Sequence, residues 1–322
     1  NRMNFMQDFF IMPDKDLRLD FLLREKLPSE LKTQISNGKI RRLIMAGCVK
    51  VNDFQTRNPS FVVKKNSKVS VLIDKEKLLS EKQTDDVKFE VTEKSVLYED
   101  DYLIIINKPS KFPTEKTVVQ DRDNLHDAVV RYLWKKNPDL RNPPYAGIMH
   151  RLDRETSGVI LFTKKREVNK AVFDMFDSSK LNLDLSGYSD KEKRPVTKTY
   201  VAAVKDSDKI QEHFTIKKSM ARITSKSSGC KWGIVPKEKG LISVTEFNIL
   251  KRENGKCYLE CHPVTGRTHQ IRVHLASLGF PIIGDTLYGG LKNKRLCLHS
   301  KSLEFMHPVS KEKIFVCADF DF

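Results

Sequence analysis

A short apolar run in the middle of the chain directly follows a loop that is crowded with charged side chains. The run, residues 159–162, is rich in β-branched and aromatic residues and predicts a buried strand. The loop, residues 150–158, reads His-Arg-Leu-Asp-Arg-Glu-Thr-Ser-Gly, and its Thr-Ser-Gly end is typical of a turn. Arg151 and Arg154 flank Asp153, so we expect their charges to lower the pKa of that carboxyl and keep it ionised. From these residues alone, a surface salt bridge on a solvated loop is the alternative to a functional site.

The loop resembles the catalytic loop of the RluA-type pseudouridine synthases. The family pattern is His-Arg-Leu-Asp, two variable positions and Thr-Ser-Gly, and this chain matches every fixed position. The resemblance implies that Asp153 is the catalytic aspartate and that Arg151 enters the RNA when the target nucleotide leaves its stack. It also implies that the substrate site includes the other fixed side chains of the loop, His150, Leu152, Thr156 and Ser157.

A predicted strand after the loop carries a second motif of the same family. Residues 197–204 alternate as a strand does, and Lys198, Tyr200 and Ala202 match the pattern Lys-x-Tyr-x-Ala. The resemblance implies that Tyr200 stacks on the target uracil and is a candidate base. Without the family, Tyr200 would be interpreted as an ordinary strand aromatic, because tyrosine favours strands.

A third motif lies near the end of the chain. The family pattern Gly-Arg-Thr-His-Gln-Ile-Arg-x-His is complete at residues 266–274. It implies that Arg272 forms an ion pair with the catalytic aspartate, while Arg267 and His269 hold backbone phosphate or the loop. Further on, the leucine before His-Ser is implied to line the uracil pocket, and here it is Leu298.

Local signals in the same region predict a helix. Thr268 is the expected N-cap, and Gly279 is the expected stop. Ile271, Leu275 and Leu278 would form its buried stripe, with the motif arginine beside it.

The N-terminal part of the chain predicts a compact αβ unit. A helix from Leu17 is expected to break at Pro28, and a second covers Gly38 to Met45; short strands follow at 49–51 and 69–73. Residues 17–23 and 40–52 resemble an S-four-like RNA-binding module, whose basic helical face grips the RNA backbone. The residues implied to do so are Arg18, Arg24, Arg41, Arg42 and Lys50.

One stretch departs from the family. An Asn-Lys-Pro motif at 107–109 is usually followed by a glycine, an apolar pair and a histidine-proline. Here residues 110–116 read Ser-Lys-Phe-Pro-Thr-Glu-Lys instead, so what this segment contributes stays open.

Charge and composition limit the class of partner. The chain has 58 Lys and Arg against 42 Asp and Glu, a net charge of +16, which favours a polyanion such as structured RNA. No stretch approaches the ~20 apolar residues that span a bilayer, and no targeting signal is evident, so we expect no membrane partner. We expect a monomer without an obligate protein partner, in the cytoplasm, with an organelle matrix or the nucleus left open.

The cysteines predict neither disulfides nor a metal site. All six lack C-x-x-C spacing. Cys257, Cys261 and His262 could be imagined as ligands, but the period of two places the cysteines on one face of a strand, where buried free cysteine is common. His269 and His274 are five residues apart, whereas a helical ligand pair is four apart. We therefore expect no metal.

Together these features predict an α+β protein in which a small αβ RNA-binding module precedes a catalytic domain. The catalytic domain is expected to have a mixed, largely antiparallel sheet with flanking helices, the pseudouridine synthase fold. The expected divisions are an N-terminal extension at 1–13, the module at 14–76, a charged linker at 77–94 and the catalytic domain at 95–322. A polar stretch at 178–194 is expected to be a mobile surface loop.

The expected function is that of an RNA pseudouridine synthase, an isomerase that needs no cofactor. It would flip specific uridines out of structured RNA and convert them, with ribosomal RNA favoured and transfer RNA as the other substrate. One alternative is a catalytically inactive RNA-binding or ribosome-assembly factor. A metal-dependent nuclease would need clustered carboxylates, which the sequence does not show.

Overall fold

The computed structural model describes residues 6–31, 35–74, 86–115, 123–177, 194–224 and 231–322. The described residues form two compact units, the first from residues 6–74 and the second from residue 86 onwards. Residues 77–85 of the predicted linker and 178–193 of the predicted surface loop lie outside the described residues.

The first unit is a small α+β structure with two short helices packed on a sheet. Among its described residues, the elements are β1 (Met6–Ile11), β2 (Leu17–Arg18), α1 (Leu19–Leu31), α2 (Asn37–Met45), β3 (Val49–Val51), β4 (Phe54–Thr56), β5 (Val62–Val63) and β6 (Val69–Asp74). The main sheet has the order β1-β6-β3-β4 with antiparallel pairing, and β2 pairs with β5. Its core combines the leucines of α1 with the valines of the sheet.

Two expectations about this unit are wrong. The residues taken as an N-terminal extension include β1, which pairs with β6 from Met6 to Ile11 and therefore belongs to the unit. Pro28 does not break the first helix, which continues to Leu31 because Leu27 and Leu31 are both fully buried in the core. The second helix is confirmed; it begins at Asn37, after the N-cap Ser36, whose side chain accepts a hydrogen bond from the amide of Lys39.

The second unit is built around one large mixed sheet. Among its described residues, the strands are β7 (Val96–Glu99), β8 (Leu103–Lys108), β9 (Gly147–Ile148), β10 (Ser157–Thr163), β11 (Val196–Lys205), β12 (His213–Arg222), β13 (Trp232–Val235), β14 (Leu241–Glu253), β15 (Lys256–Pro263), β16 (Leu298–Met306) and β17 (Lys313–Cys317). The helices described in this unit are α3 (Leu125–Lys136), α4 (Asn169–Phe176) and α5 (Gln270–Ser277).

The sheet runs in the order β13-β12-β14-β15-β11-β16-β10-β8-β7, with β17 beside β16 and β9 beside β10. Described neighbours pair antiparallel except β10 and β16, which are parallel. The predicted α+β class with a mixed, largely antiparallel sheet is confirmed. Residues 86–94 were assigned to a linker, but they belong to this unit, where Val91 is buried and Phe89 packs against Phe112 at 5.4 Å.

Strand β10 is buried on both faces, which explains its unbroken apolar sequence. Ile160 and Phe162 enter the core that contains α3, whereas Val159 and Leu161 enter the core that contains α4. At the start of the strand, Gly158 has φ +109°, and a Cβ there would lie 2.2 Å from the carbonyl oxygen of Ser300 on β16. Only glycine permits this close approach, and it ends the loop at 150–158 directly beside β16.

Helix α5 differs from its prediction in where it begins and in one residue of its buried stripe. It begins after His269, which adopts a left-handed φ of +57°, rather than at a Thr268 cap. Leu278 is 45% exposed and lies outside the stripe, whereas Ile271 and Leu275 are buried as expected. Gly279 does end the helix, with φ +83° and its amide donating to the carbonyl of Ala276.

Candidate active site

A small cavity of about 100 Å³ opens where the loop at 150–156 meets β11, β16 and the start of α5. The strands and the helix bring together residues that are far apart in the sequence. The lining includes Arg151, Leu152, Asp153, Thr156, Lys198, Tyr200, Arg267, His269, Arg272 and Leu298.

In the cavity wall, one guanidinium forms ion pairs with two carboxylates. Nη1 of Arg272 donates to Oδ2 of Asp153 at 3.2 Å, while its Nε and Nη2 donate to both carboxylate oxygens of Asp285 at 2.7 and 3.0 Å. Arg272 and Asp285 are buried, whereas the Asp153 side chain is 24% exposed toward the cavity. Burial alone would lower the pKa of Arg272, but its hydrogen bond to Asp285 and the charges of both carboxylates raise it. The guanidinium is therefore a permanent cation beside Asp153.

A histidine and a tyrosine complete this side of the site. Nε2 of His269 lies 3.7 Å from Oδ2 of Asp153, and its Nδ1 lies 2.9 Å from the hydroxyl of Tyr288. Burial lowers the pKa of His269, although the Asp153 charge opposes the shift. The Tyr288 ring also lies 5.2 Å from the guanidinium carbon of Arg272, so it contacts both neighbours of the aspartate.

Strand β11 contributes two further side chains to the cavity lining, Lys198 and Tyr200. Burial raises the pKa of Tyr200 to about 12, so its phenol stays protonated at neutral pH in the protein without RNA. Burial also lowers the pKa of Lys198, on the same strand, to about 8. A neutral aromatic side chain and a cation thus line the same cavity as the carboxylate of Asp153.

The turn before α5 is fixed by a single amide side chain. Oε1 of Gln270 accepts hydrogen bonds from the Thr265 hydroxyl at 2.6 Å and the Arg267 amide at 3.0 Å. Its Nε2 donates to the carbonyl of Val244 and the hydroxyl of Thr245, both at 2.9 Å. Because all of these groups are satisfied by one buried residue, the backbone of Arg267 is held in place.

The model of the family described as RNA pseudouridylate synthase matches residues 102–277, which is more than half of the chain. The chain belongs to this family. The matched range contains the loop at 150–158 and the start of α5, both of which contribute residues to the cavity lining. The predicted family is confirmed, and with it an RNA pseudouridine synthase, an isomerase.

Curated relatives and a solved structure agree with this assignment. A ribosomal large subunit pseudouridine synthase C of Buchnera aphidicola is 34% identical over 70% of this chain and 67% of its own. A synthase of the same name from Haemophilus ducreyi is 30% identical over 97% of this chain and 92% of its own. The structure of human RNA pseudouridylate synthase domain containing 4 shares the fold, with a TM-score of 0.54, 20% identity, and coverage of 71% of this chain and 89% of that one.

Several predicted residues of the synthase take places other than those expected. Arg151 and Arg154 were expected to flank Asp153 as its partners, but Arg151 pairs with Glu115. Arg154 donates to Asp86 at 2.6 Å, and its guanidinium also lies 3.0 Å from Glu155. Both arginines are thus paired with other carboxylates, and the cation that contacts Asp153 is Arg272.

Two other residues of the loop serve its structure rather than the cavity lining. His150 stacks on Phe176 with ring centroids 4.0 Å apart, and its Nε2 accepts the amide proton of Leu161. Burial lowers the pKa of His150 to about 3 and keeps it neutral. Ser157 is buried and lies 2.8 Å from Nδ1 of His299.

The basic residues predicted in the first unit are exposed on its surface. The guanidinium carbons of Arg24 and Arg18 lie 5.3 and 5.0 Å from the ring centroid of Phe21. Arg41, Arg42 and Lys50 are also exposed.

Sequence reasoning missed two important members of the site. Asp285 was not assigned a role, although it holds Arg272. Lys198 was recognised as a motif residue without being placed in the cavity. The signal for Lys198 was its position two residues before Tyr200, on the same face of the predicted strand.

The part of the chain that the structure describes contains no group of three or more metal-binding side chains. Cys257 and Cys261 are buried within the sheet as free thiols. Among the described helices, none is long and apolar enough to cross a membrane.

Proposed function

We propose that this synthase converts specific uridines of large-subunit ribosomal RNA to pseudouridine, with Asp153 as its catalytic carboxylate. One observation carries the proposal: the carboxylate of Asp153 reaches a cavity while a buried guanidinium, Arg272, lies 3.2 Å from it. The relatives are ribosomal large subunit pseudouridine synthases, which favours ribosomal over transfer RNA as the substrate.

The reaction breaks the bond from N1 of uracil to carbon 1 of the ribose and forms a bond from carbon 5 to the same carbon. The proton on carbon 5 leaves and N1 gains one, so nothing is oxidised and no group is gained. An ionised Asp153 can attack the sugar as a nucleophile or take the proton from carbon 2 of the sugar. Arg272 supplies a positive charge 3.2 Å from this carboxylate.

The base must leave its stack before it can reach the cavity. Unstacking costs roughly a few kcal/mol, and a side chain that fills the vacancy offsets part of that cost. Arg151 is suited to this role because its side chain is 62% exposed at the cavity mouth. Tyr200 and Leu298 would then enclose the flipped uracil between an aromatic and an apolar surface. Arg267 and His269 would bind the adjoining phosphate or support the loop.

We also propose that the first unit is an S-four-like module that binds the RNA backbone. Its exposed arginines on α1 and α2 support this, together with the net charge of +16. We further propose that the synthase acts as a monomer. A reducing compartment such as the cytoplasm suits its free cysteines.

An inactive RNA-binding factor is the competing function. It would gain nothing from a buried arginine held between two carboxylates, since such an arrangement is costly to assemble. The test is a map of pseudouridine in large-subunit ribosomal RNA from cells with and without this chain. We expect one or a few uridines to lose modification when the chain is absent. An unchanged map in ribosomal RNA, with sites lost in transfer RNA instead, would overturn the substrate assignment.

A further inference from the structure

The segment after β8 lies along the loop that carries Asp153. This is the stretch, residues 108–115, where the sequence departs from the usual family pattern. Within the segment, Lys111 has a φ of +60°, a left-handed conformation that few residues other than glycine adopt. The segment therefore keeps a defined path although its sequence has changed.

The segment begins with a buried lysine whose three protons are all used. Nζ of Lys108 donates to the carbonyls of Pro109 at 2.9 Å, Phe112 at 2.8 Å and Arg154 at 3.0 Å. Two of these carbonyls belong to its own segment and the third to the loop of Asp153. Burial lowers the pKa of Lys108 to about 7, while the charges of Glu155 and Asp153 oppose the shift. One ammonium thus joins the segment to the loop.

Two hydroxyl groups continue the connection beyond the lysine. The Thr114 hydroxyl donates to the carbonyl of Leu152 at 2.8 Å, and the Ser110 hydroxyl donates to the carbonyl of Glu155 at 2.6 Å. The amide of Phe112 also donates to the carbonyl of Arg154, at 3.2 Å. Donors from the segment therefore hold the peptide group immediately before Asp153 and the carbonyls of the two residues that follow it.

We infer that Thr114 and Ser110 are positioning residues that hold the backbone on both sides of Asp153, so that its carboxylate meets Arg272. This rests on the proposed role of Asp153. The two hydroxyls act only through the loop, because neither lines the cavity. Thr114 is the better probe, since it is 5% exposed and valine would keep its shape while removing the hydroxyl.

The experiment compares Thr114→Val with Thr114→Ser and with a matched control in the full-length chain. Thr163→Val is the control, because Thr163 is also fully buried and its hydroxyl donates to Asn169 at 2.7 Å, outside the loop. Isomerisation kinetics are measured on ribosomal RNA, and hydrogen–deuterium exchange of residues 150–156 is measured without RNA.

We expect Thr114→Val to lower kcat about tenfold, because a small misplacement of the reacting group is costly, while KM stays within about twofold. Exchange across 150–156 should become faster in the same variant. Thr114→Ser should restore both values, and Thr163→Val should leave both as in the wild type.

Wild-type kcat and wild-type exchange in Thr114→Val would overturn the inference. Equal losses in Thr114→Val and Thr163→Val would also overturn it, because they would show a general effect of losing a buried hydroxyl. If the wild type made no pseudouridine, the proposed function would fail, but the exchange measurement would still decide whether Thr114 holds the loop.

Discussion

At the scale of single residues, the site depends on a guanidinium that is shared by two carboxylates. Arg272 is 5% exposed, and Asp285 is 1% exposed. Charges this deeply buried are stable only when they are paired, so each of the two needs the other. The bidentate contact to Asp285 also fixes the plane of the guanidinium and thereby the direction of its bond to Asp153.

We predict that Asp285→Asn will reduce kcat by one to two orders of magnitude and lower the free energy of unfolding by about 3 kcal/mol. The amide removes one of the two charges and leaves Arg272 to rotate toward Asp153. Steady-state kinetics and urea unfolding measure the two effects. Asp321→Asn is the control, because Asp321 pairs with Arg295 at an exposed position and its loss should change neither quantity measurably. Wild-type kcat in Asp285→Asn would contradict the role given to this carboxylate.

The identities of the central pair could be predicted from sequence because both residues lie in long motifs. The partners of Arg151 and Arg154 could not. A guanidinium on a flexible stem bonds whichever carboxylate the fold brings near, and here one of these, Asp86, is 68 residues away from Arg154. Local charge order therefore predicts a cluster of charges but not its pairing.

At the scale of secondary-structure elements, apolar patterns were more informative than capping signals. The run at 159–162 predicted β10 because a strand buried on both faces has no polar positions to interrupt it. The start of α5 was mispredicted because Gln270 satisfies the preceding turn with its side chain, which removes the need for a Thr268 cap. The Gln270 side chain can bond this turn only because tertiary contacts with strand β14 hold it there, and a sequence pattern does not show such contacts.

Helix α5 also carries a buried histidine that makes stability depend on pH. His274 is fully buried, with its ring nitrogens 2.8 Å from the Ser243 hydroxyl and 3.0 Å from the Thr245 hydroxyl. Burial lowers its pKa to about 3. Between the unfolded pKa of about 6.5 and this value, the unfolded chain binds more protons than the folded one, so stability falls as the pH falls.

We predict that this histidine contributes about 2 kcal/mol to the loss of folding free energy between pH 7 and pH 5. Replacing it in His274→Gln should make that pH-dependent loss smaller, although the variant is less stable at pH 7. Urea unfolding at the two pH values gives the difference. The exposed His213→Gln serves as the control and should show the wild-type difference. If His274→Gln also kept the wild-type difference, the neutral buried state of His274 would be disproved.

At the scale of the whole molecule, the synthase has two units that carry different sequence motifs: the unit with the cavity and a smaller unit with exposed basic residues. The order of the two units was predictable from the order of their motifs, and the charged stretch between the motifs indicated that the units are separate. The boundary was not, because residues 86–94 are polar in composition yet contribute Val91 and Phe89 to the core of the second unit. Tertiary packing decides whether an isolated apolar residue among charged ones is buried. The average composition of a segment does not show it.

The proposed role of the first unit predicts a change in the salt dependence of RNA binding. The triple variant Arg24→Gln, Arg42→Gln and Lys50→Gln should lower the slope of log affinity against log salt by about 2, because each lost phosphate contact removes about 0.7 to 0.9. Filter binding or fluorescence anisotropy across a salt series measures it.

The matched control removes three positive charges from the second unit, in Lys170→Gln, Lys251→Gln and Lys313→Gln. Each of these lysines forms an ion pair within the same unit, with its Nζ 3.2, 2.6 and 2.8 Å, respectively, from a carboxylate oxygen. We expect a smaller change of slope for this variant. Equal slopes in both triple variants would show that net charge alone, rather than the first unit, determines RNA binding.

The central claim is that the carboxylate of Asp153 carries out the isomerisation, and the pseudouridine map tests it most directly when cells that lack the chain are supplied with Asp153→Asn. Asparagine keeps the size of the side chain and removes its charge, so RNA affinity should stay within about threefold because phosphate contacts are unchanged. We predict that the wild-type chain restores the missing pseudouridines and that Asp153→Asn, present at the same level, restores none. Restoration of the modified sites by Asp153→Asn would contradict the account.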